Sequence, residues 1–384
     1  MRRSLRFCVM GAGNGGLALA GHLAIMGFDV TLWNRSEERL KGIRKRGGIE
    51  VSGAVEGFAR IKTVTTDVEE AISQADVIMV AIPATGHGYI AEISAPYLRE
   101  DQIVILNPGR TGGALEFTNV LERFGKLDGV IVSEAQTFLY ASRTISPCRV
   151  MIKRIKNSVP LAALPAYLTP HVLRVIRTAF PQFVPSDTVL NTSFNNIGAV
   201  FHPALLLLNA SRVELNEKFD YYVEGVTPSI ARVLEEIDKE RVAVATALGV
   251  RTYTAREWLY LAYDVAGKTL YEALQNNPVY VGISAPNTLN HRYITEDVPT
   301  SLVPLASIGE MLKVPTPVIR SIIHLASTIH GVDYWKVGRT AEKLGLKGLS
   351  VREIRRLALE GHRSVHSFKL LLPHDEQPHV TATA

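Results

Sequence analysis

Leu5-Arg6-Phe7-Cys8-Val9-Met10-Gly11-Ala12-Gly13-Asn14-Gly15-Gly16 carries a short apolar run straight into a glycine cluster, and its reading decides the fold. A lone G-x-G-x-x-G match says little, but here a β-type run precedes it and a helical pattern, Gly15 to Met26, follows. In that context Gly11 permits the tight turn, Gly13 lets the backbone approach a pyrophosphate, and Gly16 lets helix pack closely on strand. The helix N-terminus then offers unpaired N–H groups and partial positive charge to phosphates. The expectation is a dinucleotide held by Gly11, Gly13, Asn14, Gly15 and Gly16; the plainer alternative is a structural glycine turn.

Outward from this motif, β-rich runs alternate with helical patterns. Asp29 to Trp33, Val77 to Ile82, Ile103 to Leu106 and Val130 to Val132 are the further runs. Glu37 to Arg46, stopped by Gly47 and Gly48, and Val68 to Gln74, capped by Asp67, are the helices. Such alternation predicts an α/β, doubly wound Rossmann-type domain over residues 1–185. Ile49 to Ile61 reads as an inserted hairpin turning near Gly53.

After the second run, where a carboxylate would hold the ribose 2′-OH of NAD, the chain gives Asn34-Arg35-Ser36. Arg35 can pair with a 2′-phosphate through its planar fork while Asn34 and Ser36 add neutral hydrogen bonds, which favours NADP, with NAD possible if Glu37 or Glu38 serves the ribose. Two more turns follow strands at the ligand-binding edge of such a sheet: Ile82-Pro83-Ala84-Thr85-Gly86-His87 and Asn107-Pro108-Gly109-Arg110-Thr111-Gly112-Gly113. Pro83 is placed with the cofactor; His87 lacks an orienting carboxylate nearby and is set aside as a catalytic group.

Residues 186–361 read as a mostly α-helical second domain. Thr227-Pro228 opens a long helix closed by Gly249, and Thr316-Pro317 opens another closed by Gly331. Within it, Asn195, Ala199 and His202 share one helical face that Thr192 continues, and Pro203 predicts a kink or restart at His202. Asn290-His291-Arg292-Tyr293-Ile294-Thr295-Glu296-Asp297-Val298-Pro299 reads as a polar loop concentrating an arginine and two carboxylates. Hydride transfer to a C=O or C=N carbon needs a proton donor of near-neutral pKa, a carboxylate to orient it and a cation for a substrate carboxylate; His, Asp and Arg supply these. From His362 the chain turns polar, and 362–384 are expected to form a mobile tail whose His362, His366, His374 and His379 are solvated rather than metal-binding.

Composition bounds the rest. With 384 residues, 47% hydrophobic and 21% charged, the chain is neither disordered nor fibrous, and two domains fit the length. A net charge of +5 spread along the chain points to small anions rather than nucleic acid. Neither Val77 to Ile82 nor Ala204 to Leu208 approaches the ~20 apolar residues of a membrane span. Two cysteines, Cys8 and Cys148, suit a reducing cytoplasm. Apolar helices in the second domain make a homodimer plausible.

Taken together, the Gly11–Gly16 turn, Leu106-Asn-Pro-Gly-Arg-Thr-Gly-Gly-Ala-Leu-Glu-Phe117, the Asn195-to-Pro203 segment and Tyr293-Ile-Thr-Glu-Asp-Val-Pro299 resemble the opine dehydrogenase family, octopine and nopaline dehydrogenases included. The resemblance is greatest to the bacterial N-(1-D-carboxylethyl)-L-norvaline dehydrogenase branch and runs from about residue 5 to 360. It implies an enzyme that condenses the amine of an L-amino acid with a 2-oxo acid such as pyruvate and reduces the imine with NAD(P)H. The family's catalytic histidine falls on His202, its aspartate on Asp297 and its keto-acid arginine on Arg292; Glu134, Gln136 and Thr137, in a segment resembling the family's interdomain turn, are secondary candidates for substrate contact. At Asn34-Arg35 the chain departs from that branch, which carries an acidic residue there. The rivals are a 3-hydroxyacid or glycerol-3-phosphate type dehydrogenase, disfavoured because no lysine occurs between Val184 and Arg212, and a non-catalytic NADP sensor.

Overall fold

A computed structural model describes residues 5–361; the expected tail lies outside the described residues. Among the described residues there are twelve strands: β1 (Arg6–Met10), β2 (Asp29–Trp33), β3 (Gly48–Gly53), β4 (Gly57–Arg60), β5 (Thr63–Thr65), β6 (Val77–Val80), β7 (Ile103–Leu106), β8 (Ile131–Ala135), β9 (Tyr140–Ser146), β10 (Arg149–Ile155), β11 (Val159–Leu164) and β12 (Phe183–Pro185). Eight form one sheet in the order β12-β11-β8-β7-β6-β1-β2-β5, parallel except where β11 runs against β8. Because β1 continues to β2 on one side and β6 to β7 on the other, the order reverses between β1 and β6, and the crevice beyond their carboxyl ends is where such sheets bind ligands.

The strands are near-continuous apolar runs because both faces are covered. Alternate residues sort the core into two. Cys8, Met10, Ile78, Val80, Val104 and Leu106 pack into a cluster shared with Phe194, Val200, Leu205 and Leu234 of the helical half. Phe7, Val9, Val77, Met79, Ile103 and Ile105 pack against Leu17, Leu19 and Leu23 of the helix Asn14–Ile25.

The hairpin read at Ile49 to Ile61 is present as antiparallel β3 and β4, but it is not isolated. A second hairpin, β9–β10, which the sequence reading missed, joins it through parallel β3–β10 pairing into a four-stranded sheet. That sheet lies on the helix after the glycine turn: a Cβ at Gly21 would sit 2.5 Å from Val51. Beyond Pro185 no strand follows among the described residues, and the helices Pro228–Ala247 and Pro317–His330 begin at the anticipated Thr-Pro pairs. Thr227 caps the first through its side chain, whereas the second is capped from outside: both Glu240 carboxylate oxygens accept from the Val318 and Ile319 amides at 2.8 Å.

Candidate active site

The glycine turn is built as its residue types require. Gly11 has φ +120°, in the region that favours glycine, and a Cβ there would lie 2.6 Å from the Ala81 carbonyl. A Cβ at Gly16 would lie 1.7 Å from the Gly11 carbonyl, so strand and helix meet at backbone distance, while Gly13 faces open space. Asn14 is exposed, but its side chain is held by the small sheet: Oδ1 accepts from the Thr144 amide at 2.8 Å, and its carbonyl accepts from Ser142 Oγ at 3.1 Å. Phe138 covers Gly15. These residues fit a dinucleotide pyrophosphate.

At the end of β2, Asn34 is engaged locally: Oδ1 accepts from the Ala12 amide at 3.1 Å and Nδ2 donates to the Ser36 carbonyl at 3.1 Å. Arg35 is exposed, 5.9 Å from the Tyr89 ring centroid, with no ion-pair partner among the described residues. The alternative ribose ligands are occupied, Glu37 by Arg44 and Glu38 by Lys41 at 2.9 Å. Pro83 is exposed at the rim of the turn after β6.

On the helical side the expected single helix is broken earlier than Pro203 suggested. One helix spans Val189–Phe194 and the next Gly198–Leu208, with Asn195 to Ile197 between them and Pro203 inside the second. Asn195 is the reason for the break: its Oδ1 accepts from the Tyr253 amide at 3.1 Å, and buried Arg241 donates to the neighbouring Phe194 carbonyl. The helix therefore restarts one turn before His202, and His202 sits within it. The polar loop of 290–299 is also helical in part, as a turn Arg292–Thr295 and a π-helical turn Val298–Leu302, with Asp297 immediately before the latter. Wider π turns of this kind are frequent at functional sites.

These two breaks bring His202 and Asp297 together. Nδ1 of His202 lies 2.9 Å from Oδ2 of Asp297, which is fully buried, while the imidazole stays 18% exposed. The other carboxylate oxygen meets Arg110 Nη1 at 3.2 Å and accepts from Ser301 Oγ at 3.4 Å. Burial by itself would push the Asp297 carboxyl up, but Arg110 and then His202 outweigh it and hold it at about 2. An ionised carboxylate only accepts, so it makes Nδ1 the donor and leaves Nε2 to exchange a proton with the cleft. Tyr293 stacks on the imidazole at 4.0 Å between centroids and 15° between planes, and Tyr221 donates from its hydroxyl to the His202 carbonyl at 2.9 Å.

Arg110, quoted in the sequence only as part of a turn, is the cation that binds this cluster together. Its φ is +61°, and Gly198 leaves the space it shares with His202: a Cβ there would lie 3.1 Å from Arg110 Nη1 and from His202 Nδ1. Glu296 accepts from Arg110 Nε at 3.4 Å and from the Ala84 amide at 3.1 Å, tying the helical half to the turn after β6. Arg292 Nη2 lies 2.8 Å from the other Glu296 oxygen in an ion contact not aligned as a hydrogen bond, and its side chain is 56% exposed.

The remaining expected residues separate. Glu134 is fully buried and receives the Ala114 amide at 2.8 Å, Thr192 Oγ1 at 2.5 Å and Ser193 Oγ at 3.0 Å. Its carboxylate thus joins β8 to the start of one helix, at Ala114, and to the last turn of another, at Thr192 and Ser193. Gln136 donates to the Asn195 carbonyl at 3.2 Å, and Thr137 accepts from Lys156 at 2.6 Å. His87 is wholly buried, accepting from Arg339 Nη2 at 2.9 Å; burial, then Arg339 and Arg110, draw its pKa far down and keep it neutral.

The family model for the NAD/NADP octopine/nopaline dehydrogenase α-helical domain matches residues 185–330, and that for the ketopantoate reductase PanE/ApbA matches 7–122. An opine dehydrogenase of Arthrobacter sp. (strain 1C) is 42% identical over 92% of this chain and 99% of its own length. Protein ocs of Agrobacterium tumefaciens (strain Ach5) is 29% identical over 93% and 99%. Among solved structures, octopine dehydrogenase in complex with NADH and agmatine aligns with a TM-score of 0.80 at 22% identity, covering 95% of this chain and 100% of that one. Yersinopine dehydrogenase with NADP+ bound aligns at 0.73 and 16%, covering 94% and 99%. Sharing both halves and their order with these proteins, the chain belongs to the octopine/nopaline family of opine dehydrogenases, NAD(P)-dependent oxidoreductases acting on CH–NH donors.

Proposed function

We propose that this enzyme joins the amine of an L-amino acid to a 2-oxo acid such as pyruvate and reduces the resulting imine, reversibly, in the cleft between residues 1–185 and residues 186–361. The observation that carries this reading is the 2.9 Å contact between His202 and a buried, ionised Asp297 beside the sheet's switch point. Reduced nicotinamide, when bound, supplies the hydride. His202 Nε2 gives the proton that the new amine requires and takes it back in the reverse direction; Asp297 fixes the ring's tautomer and stabilises its charged form. Arg292, half-exposed and loosely tethered, is free to turn its fork onto the carboxylate of the 2-oxo acid. Thr137 and Gln136 border the same cleft. Gly11, Gly13, Asn14, Gly15 and Gly16 would hold the pyrophosphate, with Pro83 near it, and exposed Arg35 with Ser36 would favour NADPH over NADH.

Two free cysteines, Cys8 buried, support a reducing cytoplasmic setting, and exposed Leu325 and Ile329 on one helix offer a face for a homodimer. The His202→Ala variant tests the assignment. Turnover with pyruvate and amino acids should fall about 10²- to 10⁴-fold while NADPH binding, followed by fluorescence, is retained. Undiminished turnover would remove His202 from the reaction.

A further inference from the structure

Every buried arginine near the cleft has an acidic partner: Arg110 has Glu296 and Asp297, Arg241 has Asp238, and Arg339 has Glu116. Lys156 does not. It follows β10, its side chain is half-buried, and its ammonium donates to Thr137 Oγ1 at 2.6 Å; no carboxylate pairs with it among the described residues. A withdrawn ammonium without a counter-charge is costly unless a ligand supplies one. Burial first, and the nearby Arg110 charge second, draw its pKa down to about 8, so both cations share one region.

The placement says which ligand. Thr137 adjoins Gln136, whose amide donates to the Asn195 carbonyl at the helix break before His202, so Lys156 stands on the strand-side wall of the cleft that holds the imidazole. Arg292 stands on the helical wall. The reaction proposed above makes a secondary amine flanked by two carboxylates, and Arg292 accounts for one.

We infer that Lys156 is the anchor for the second carboxylate, that of the amino acid, positioning its nitrogen over the 2-oxo carbon between two cationic walls. This rests on the reading of the site given above. No bond is made or broken at Lys156; it remains an ammonium donating to the carboxylate and to Thr137.

The test compares Lys156→Met and Lys156→Arg with the unaltered enzyme. Three quantities are followed: the KM of the amino acid, the KM of pyruvate, and NADPH affinity by fluorescence. Lys156→Met should raise the amino-acid KM about 10- to 100-fold, with pyruvate KM and NADPH affinity within about twofold. Lys156→Arg, which keeps the charge, should recover most of the loss, and a primary amine lacking the carboxylate should react equally with all three enzymes. A rise confined to the pyruvate KM, weakened NADPH binding, an equal loss on the carboxylate-free amine, or an unchanged amino-acid KM would each overturn the anchor while leaving the reaction standing. Absence of condensation product from the unaltered enzyme would overturn both.

Discussion

At the scale of single residues, chemistry is concentrated in pairs whose members lie far apart in sequence. His202 and Asp297 are 95 positions apart, yet one carboxylate serves two cations, taking the imidazole on Oδ2 and Arg110 on Oδ1. Asp297→Asn keeps the shape but loses the charge, so kcat should fall by about 10² or more while cofactor affinity holds. The sign for pH follows from a depressed carboxyl pKa. Its contribution to stability is fully present above the ordinary aspartate pKa near 4 and is lost as pH falls toward about 2. Acid unfolding of the Asn variant should therefore be shallower over that window, as circular dichroism can record. At the other end of the site, Arg35→Ala should weaken NADPH about 10-fold or more and leave NADH nearly unchanged, compared by KM. Equal losses on both cofactors would count against a 2′-phosphate contact.

At the scale of elements, the helix starts show what was legible and what was not. The glycine turn and the Thr-Pro starts at 227 and 316 can be read from sequence because their constraints act within a few residues. The external cap from Glu240, the seam between β3 and β10, and the helix break at Asn195 depend on partners tens of residues away, and nothing local announces them. Arg110 escaped notice for the same reason: its neighbours in the chain describe a turn, and only the fold aims it at Asp297. The bonds that Glu134 accepts from Thr192 and Ser193 are likewise set across the interface. Glu240→Ala removes a cap without touching the cleft, so it should lower unfolding free energy by about 1 kcal/mol in urea titration and leave KM unchanged.

At the scale of the whole molecule, the two halves are fastened by Arg339. From the helical half it reaches Glu116 at 2.6 Å, the Gly109 carbonyl at 2.9 Å, the Ala84 carbonyl at 2.7 Å and His87 at 2.9 Å, gripping both turns that border the cleft. Replacing one partner of a buried ion pair typically costs about 3–5 kcal/mol. Arg339→Met should accordingly lower the melting temperature by several degrees and, by calorimetry, separate one thermal transition into two. A single transition at the original temperature would show that the shared apolar core alone couples the halves.

His202 is fastened on three sides, by the Asp297 carboxylate, by the stacked Tyr293 ring and by the Tyr221 hydroxyl on its carbonyl. A proton relay so immobilised behaves as a fixed gauge: molecules of differing bulk must bend themselves to reach it. Amino acids that differ only beyond their β-carbon should then share one maximal velocity and diverge in the concentration needed to attain it.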